Sequence, residues 1–366
     1  MEKVKLGEIF EYLPKSKFKA GDGKEKGKYK FFTSSNVQNK FMDEFVYDGE
    51  YLIFGTGGKA SINYCNGKFS TSTDNFVVKV NKEFNAKLIF LYFKNDMKKL
   101  ENGFKGASIK HISKEYINQL SIPKYDYSQQ LNIVKKLDKV QEVIDIRKEQ
   151  IEQLDKLIKS QFVEMFGDPN VVKDNDKIEL KSIMKNANNS MARRGNDSNG
   201  NIVLRLVELQ RNYIDYSNVN KISLKENEKK KYLLSEGDIL FARVNGNPDN
   251  VGRCTYFKDI GEDVYHNDHI IRVKFDPQKV NPIYLCVLLN DEYGKGEFKN
   301  KIKTSAGQYT ISQDGIEKVK IFLPPIELQN KFADFVKQID KQKVEIQKSL
   351  EKIQMLQESL MNIFFR

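Results

Sequence analysis

From Ile133 the chain keeps a four-three spacing of positions: Ile133, Leu137, Val140, Ile144, Arg147, Ile151, Leu154, Ile158, Gln161 and Met165. A second ladder starts at Phe332 and continues through Phe335, Ile339, Gln342, Ile346, Ser349, Ile353, Leu356, Leu360 and Ile363. Eight of ten rungs are apolar in each ladder, and neither contains Gly or Pro. The pattern predicts two helices of about 35–39 residues, which reach roughly 50–60 Å at 1.5 Å per residue. Ordinary globular helices are shorter, and an amphipathic stripe gains most of its stability from packing. The apolar rungs, from Leu137, Val140 and Ile144 to Leu356 and Leu360, are therefore expected to form a packing seam.

Before each ladder the period changes. The stretch "YLIFGTGGKASINYCNGKFSTSTDN" (51–75) sets short runs of β-branched and aromatic residues between glycine clusters. It reads as strands joined by turns, with Asn66-Gly67 as a hairpin signal. Gly55-Thr56-Gly57-Gly58-Lys59-Ala60 also fits a loose dinucleotide-loop spelling, but such a loop opens a helix and no helical pattern follows. Asp74 comes too early for the ribose carboxylate expected about 20 residues on. The glycines are read instead as a tight turn or a close backbone approach. Helical stretches follow at 85–100 and 281–294.

These segments occur twice. "ASIKHISKEYINQLSIP" (107–123) parallels "SAGQYTISQDGIEKVKIFLPP" (305–325), with Ile112-Ser113 and Ile311-Ser312 in register. "DGEYLIFGTGG" (48–58) corresponds to "EGDILFARVNG" (236–246), and "TDNFVVKV" (73–80) to "NDHIIRVK" (267–274). "IVKKLDK" (133–139) is echoed by "FVKQIDK" (335–341), and "QFVEMF" (161–166) by "SLMNIFF" (359–365). The chain reads as a tandem duplication with approximate two-fold symmetry: residues 1–127 and 167–325 are variable domains, and 128–166 and 326–366 are long helices. A repeat of this size is too long for a solenoid.

Composition sharpens this picture. The chain has 366 residues, 39% of them hydrophobic, with 24 Phe and 17 Tyr, enough for more than one packed core. Net charge is +11, and its placement matters more than its size. Residues 1–127 carry 22 basic and 15 acidic groups and residues 167–325 carry 25 and 22, whereas the helices are nearly neutral. Basic domains on neutral spacers suggest a polyanionic partner. The charged "MEKVKLGEIF" start lacks a signal peptide's apolar core, and no run approaches a membrane span. Cys65, Cys254 and Cys286 are widely spaced, as expected of reduced thiols in a cytoplasm.

On the duplication, the "SEGDILFAR" stretch (235–243), the Ile-Ser then Ile-x-Leu-Pro-Pro approach to the helix, and the seams, the sequence resembles the specificity subunits of type I restriction-modification systems. The likeness runs along the whole chain. The first copy departs from it in reading Gly49-Glu50-Tyr51-Leu52-Ile53-Phe54 where the second has Gly-Asp-Ile-Leu-Phe, and Pro123-Lys124 for Pro-Pro. The resemblance implies an α+β molecule with two target recognition domains in tandem, separated and joined by helices paired as an antiparallel coiled coil. It also implies double-stranded DNA as ligand, two methyltransferase subunits as partners, and a restriction subunit where the system has one.

The residues themselves point to binding rather than catalysis. No cofactor loop stands between a strand and a helix, no Walker loop appears, and the sole Pro-Pro pair, Pro324-Pro325, marks a helix entrance. No catalytic residue, metal site or bound cofactor is expected; S-adenosylmethionine, and ATP with Mg for restriction, would belong to partner subunits. His266 and His269 form an isolated H-x-x-H without a nearby Cys. Candidate DNA contacts in the first domain are Thr56, Gly57, Gly58, Lys59, Ser72, Thr73, Asn75 and Lys110. In the second they are Arg193, Arg194, Arg243, Asn245, Asn247, His266, Asn267, Gln308 and Tyr309. Arg, Asn, Gln, Ser and Thr can distinguish base edges, while Lys and Arg on phosphate add affinity alone. A second reading remains at this level, an assembly protein whose seams drive association and whose basic domains bind some other acidic partner.

Overall fold

A computed structural model describes residues 2–106, 110–192, 194–305 and 307–365. The chain forms two compact units, one of residues 1–150 with 346–366 and the other of residues 151–345. Both long helices are present, Tyr127–Phe166 and Ile326–Phe365, each of 40 residues. The variable regions thus end close to the helix starts, but the compact units divide in mid-helix. Each unit takes in the beginning of one long helix and the end of the other.

In the first unit a six-stranded sheet runs in the order Phe10–Tyr12, Asn75–Val80, Tyr47–Gly55, Ser61–Thr71, Tyr29–Phe32, Lys40–Met42. All pairs are antiparallel except Tyr29–Phe32, which lies parallel to Ser61–Thr71. Alternation along the strands sends side chains to both faces. Leu52, Phe54 and Val78 join a core with Leu88, Ile89 and Phe93 of helix Ala86–Asn95, whereas Ile53, Val77 and Phe69 pack on the other side. Asn66-Gly67 does not turn the chain. It lies inside the long strand Ser61–Thr71, with Gly67 opposite Gly49. Both glycines have positive φ, 121° and 137°, a backbone state other residues avoid, and the two strands stay paired in unbroken register across them.

The second unit repeats the plan with one strand broken. Ile239–Ala242 pairs antiparallel with Ile270–Phe275 and Cys254–Tyr256, and Asn201–Leu204 lies parallel to Val264–His266. Here Cys254–Tyr256 and Val264–His266 divide the two jobs that Ser61–Thr71 performs alone. A small third sheet joins Val244–Asn245, Gln308–Thr310 and Lys303–Ser305.

One buried glutamine fixes the start of each long helix. Gln130 accepts from Asn85 N (2.7 Å) and donates to Glu83 O and Tyr125 O. Gln329 accepts from Asn281 N (2.9 Å) and donates to Lys279 O and Pro324 O. Asn85 and Asn281 in turn cap the first turns of Ala86–Asn95 and Pro282–Asn290. The brace matches Ile133 to Phe332 and corrects the sequence alignment of "IVKKLDK" with "FVKQIDK", which is displaced by three residues, nearly a full turn. A shift of that size keeps apolar positions on almost the same helix face, so the pattern alone could not expose it.

The end of the opposite helix completes each core. In the first unit Leu360, Met361, Phe364 and Phe365 pack with Ile133, Val134 and Leu137, and Tyr125 Oη donates to Phe364 O. In the second, Ile158 and Phe162 pack with Phe332, Val336 and Ile339. The helix segments run antiparallel in both: Gln357 donates to Gln141 (3.0 Å) within the first unit, and Lys343 to Asp155 (2.7 Å) within the second. Leu137, Val140, Ile144, Ile151, Leu154, Ile158, Ile339, Ile346, Ile353 and Leu360 are all buried or half-buried, as a seam requires. Leu356 is not: it is 51% exposed, as is Ile363 at 67%, while Leu350 and Gln357 turn inward. A helix turns every 3.6 residues, so a ladder counted at 3.5 rotates by about 20° per heptad and leaves the packed face.

Candidate nucleic-acid interface

In the first unit three loops meet the turn at 56–60. Thr56 N donates to Asp74 O (2.9 Å), Ile112 N donates to Thr56 O (3.1 Å), and Gly58 N donates to Lys110 O (3.0 Å). Ser34 Oγ also bonds to Asp74 O, and Asn36 Nδ2 donates to Ala60 O (3.0 Å). Gly55 permits this convergence, since a Cβ there would stand 2.1 Å from Ser61 Oγ and 2.9 Å from Ser34 Cα. Gly58 has φ of +82° with open space beyond it. The glycine cluster is thus a junction of loops at the end of a hairpin.

The second unit builds the same junction around Arg243. Its N–H donates to His269 O (2.8 Å), its carbonyl accepts from Ile311 N (2.9 Å), and its Nη1 donates to Asp268 O (3.0 Å). The bond from Ile311 matches that from Ile112. Arg194 reaches the same place, with Nη1 on Asp268 Oδ1 (2.9 Å) and Nη2 beside His269 Nε2 (3.2 Å). Asn245 faces Tyr309 across the small sheet, and Gln308 stands exposed after Gly307, whose φ is +77°. Asn245 Oδ1 accepts from Asn247 N and Asn247 Oδ1 from Asp249 N, so these two amides shape the turn they occupy.

The sequence candidates fall into two groups. Gly58, Lys59, Lys110, Arg194, Asn247 and Gln308 are exposed, and Gly57, Thr73, Arg243, Asn245 and Tyr309 are half-exposed. Thr56, Ser72, Asn75, His266 and Asn267 are buried and are corrected here to supports. Asn75 Nδ2 donates to Phe32 O, Ser72 O and Ser72 Oγ, which ties the turn at 72–75 to the end of strand Tyr29–Phe32 from within. Asn267 Oδ1 accepts from His269 N. His266 is fully enclosed beside Tyr232, and burial, with the Arg272 charge second, lowers its pKa to about 3. Its ring is neutral and inward, whereas the His269 ring meets Arg194, so the H-x-x-H pair faces two environments. Arg193 lies outside the described residues, as does the sequence around Ser108.

Two segments at the junctions escaped sequence reading. Residues 33–39 and 205–213 follow the parallel strands Tyr29–Phe32 and Asn201–Leu204. Asn63 Nδ2 donates to Ser35 O, and Arg253 Nη2 to Leu206 O (both 2.8 Å), which fixes them beside the other loops. Arg211 Nη2 reaches Asp249 O (3.5 Å), and burial together with the Arg211 charge lowers the Arg253 pKa. Counted from the strand ends they share only Gln38 with Gln210, too little for the duplication to give a signal; their place after a parallel strand is what relates them.

Comparison with known proteins accords with this repeated plan. Residues 1–156 and 172–357 match the type I restriction modification DNA specificity domain. The StySPI type I restriction enzyme specificity subunit of Salmonella potsdam is 29% identical over 71% of this chain, and the EcoKI specificity subunit of Escherichia coli 24% identical over 71%. Both matches span 60% of the relative's own length. The MjaVIII specificity subunit of Methanocaldococcus jannaschii is 24% identical over 96% of this chain and 90% of its own. In fold, an S subunit of a type I restriction-modification system from M. genitalium superposes with a TM-score of 0.67 at 16% identity, covering 100% of this chain and 96% of the other. Among the described residues no helix is long and apolar enough to cross a membrane. Two matched domains on two repeated frames place this chain in the family of type I restriction modification DNA specificity domain proteins.

Proposed function

We propose that this chain is a non-catalytic specificity subunit that reads double-stranded DNA as two half-sites, one for each unit. The observation that carries the reading is the repeated junction. One backbone frame presents Gly58, Lys59 and Lys110 in the first unit and Arg243, Asn247 and Gln308 in the second. A constant frame with different exposed side chains is what two unlike half-sites require. Arg, Asn and Gln suit base edges in the major groove, and Lys suits phosphate. The positive excess of both variable regions favours the same polyanion.

In this reading the long helices set the unread gap between half-sites and offer docking surface to two methyltransferase subunits. Those subunits, and a restriction subunit where the system has one, supply the chemistry of S-adenosylmethionine and ATP. This chain binds neither and contributes position. Exchange of residues 167–325 for the matching segment of a relative tests the scheme. Binding-site selection from randomised duplexes, with methyltransferase subunits present, is expected to change one half of the target and keep the other. A change in both halves would refute the one-unit, one-half-site reading. Methyl transfer by the purified chain alone would refute the non-catalytic role.

A further inference from the structure

We propose that Val37 and Val207 sense the 5-methyl group of thymine in the major groove, each within its own half-site. The inference rests on the DNA-reading function above and adds two specificity-determining residues to it. Val37 is 65% exposed and Val207 62% exposed. A lone exposed valine is ordinary on a protein surface, so placement has to carry the argument.

Both valines stand on the segment that leaves the parallel strand, against the loops that form the junction. Val37 is held firmly. Its N–H donates to Ser35 Oγ (3.1 Å), and the adjacent Asn36 bridges the glycine turn and the strand after it, donating to Ala60 O and accepting from Ile62 N. Val207 is fixed through its carbonyl, which accepts from Gln210 Nε2 (2.8 Å), and through buried Glu208, which grips Arg205. Val207 also lines an open depression of about 340 Å³ with Arg194, Arg205, Asn220, Asn267 and His269. An apolar side chain framed by guanidinium and amide groups complements a base edge beside a phosphate backbone.

The chemistry then selects the base. Valine has no donor or acceptor, so it can distinguish bases only by apolar contact. In the major groove thymine alone carries a methyl group at C5, and uracil differs from it by that group alone. Branching at Cβ stiffens the valine side chain, so little rotamer freedom is lost on contact.

The test uses the full chain with its methyltransferase subunits and the duplex selected from a randomised library. Each thymine is replaced singly by uracil. One replacement in each half is expected to weaken binding about fourfold, the effect of burying one methyl group. Val37→Ser should abolish that penalty in the first unit's half and Val207→Ser in the other, with the salt slope unchanged. Val→Ile at either position should retain it, which separates loss of the contact from general damage. A half-site without a thymine requirement, or equal uracil penalties in wild type and Val→Ser, overturns the proposal while leaving DNA reading intact. Failure to select any sequence would instead overturn the DNA-reading function.

Discussion

At the scale of single residues, exposure separates candidate contacts from supports. Gln308 opens the strand Gln308–Thr310 and is exposed, and Gln can bond an adenine edge through two atoms. Gln308→Ala is expected to relax preference at one position of one half-site, by about 1–3 kcal/mol. Lys59→Ala, by contrast, should weaken all sequences alike and lower the salt slope by about one. Competition between altered duplexes at two salt concentrations distinguishes the two outcomes. His266 belongs to the supports, and its burial has a sign. The folded chain holds the ring neutral down to about pH 3, whereas the unfolded chain protonates it below about 6.5. Stability from this residue is therefore present above pH 6.5 and is lost on acidification toward 3, by at most about 1.4 kcal/mol per pH unit. Asp238 acts in the opposite sense, because burial raises its carboxyl pKa and favours the folded state at low pH. In urea denaturation, His266→Gln should show a smaller loss of midpoint between pH 7 and pH 5 than the wild type. An equal loss would assign the acid sensitivity elsewhere.

At the scale of elements, the helix seam provides the clearest contrast. Ile144 is 3% exposed on the first long helix, and Leu356, a rung of equal standing in the sequence pattern, is 51% exposed on the second. Ile144→Asp places an unpaired carboxylate in the packed face and should cost roughly 3 kcal/mol or more. Leu356→Asp should change the unfolding midpoint little. Equal effects would mean that the observed rotation of the seam is wrong. The pair also shows what a sequence can disclose. Helix existence, helix ends and the duplicated frame were legible, because apolar period and paired motifs such as Ile112-Ser113 and Ile311-Ser312 are local signals. Which side of a 40-residue helix stays packed was not, since small angular errors accumulate along it. Asn66-Gly67 looked like a turn because its dipeptide chemistry is indifferent to the opposing Gly49, which lies 18 residues earlier. At the junction, polar residue types marked loops that the fold brings together but not the direction of their side chains. Asn75 and His266 thus resembled contacts until their interior partners were seen. Val37 and Val207 left no mark, because one apolar residue among polar neighbours has no pattern.

At the scale of the molecule, the two units draw on the chain differently. The second is built from one continuous stretch, residues 151–345, but the first needs residues 346–366 as well as 1–150. Phe365 is buried against Tyr92, and Leu360 and Met361 lie on the same core. A chain ending at residue 345 should therefore leave the first unit open while the second closes. Limited proteolysis is expected to digest residues 1–150 rapidly and spare a fragment near 151–345; equal protection of both would show that the last 21 residues are dispensable to the first core. In the order of synthesis, residues 1–150 emerge before 151–345 yet find their full set of neighbours after them. The second unit has all its parts once residue 345 has emerged, while the first waits with an apolar surface uncovered. The helix turns of residues 346–365 thereby close the first unit only after the second has all its parts.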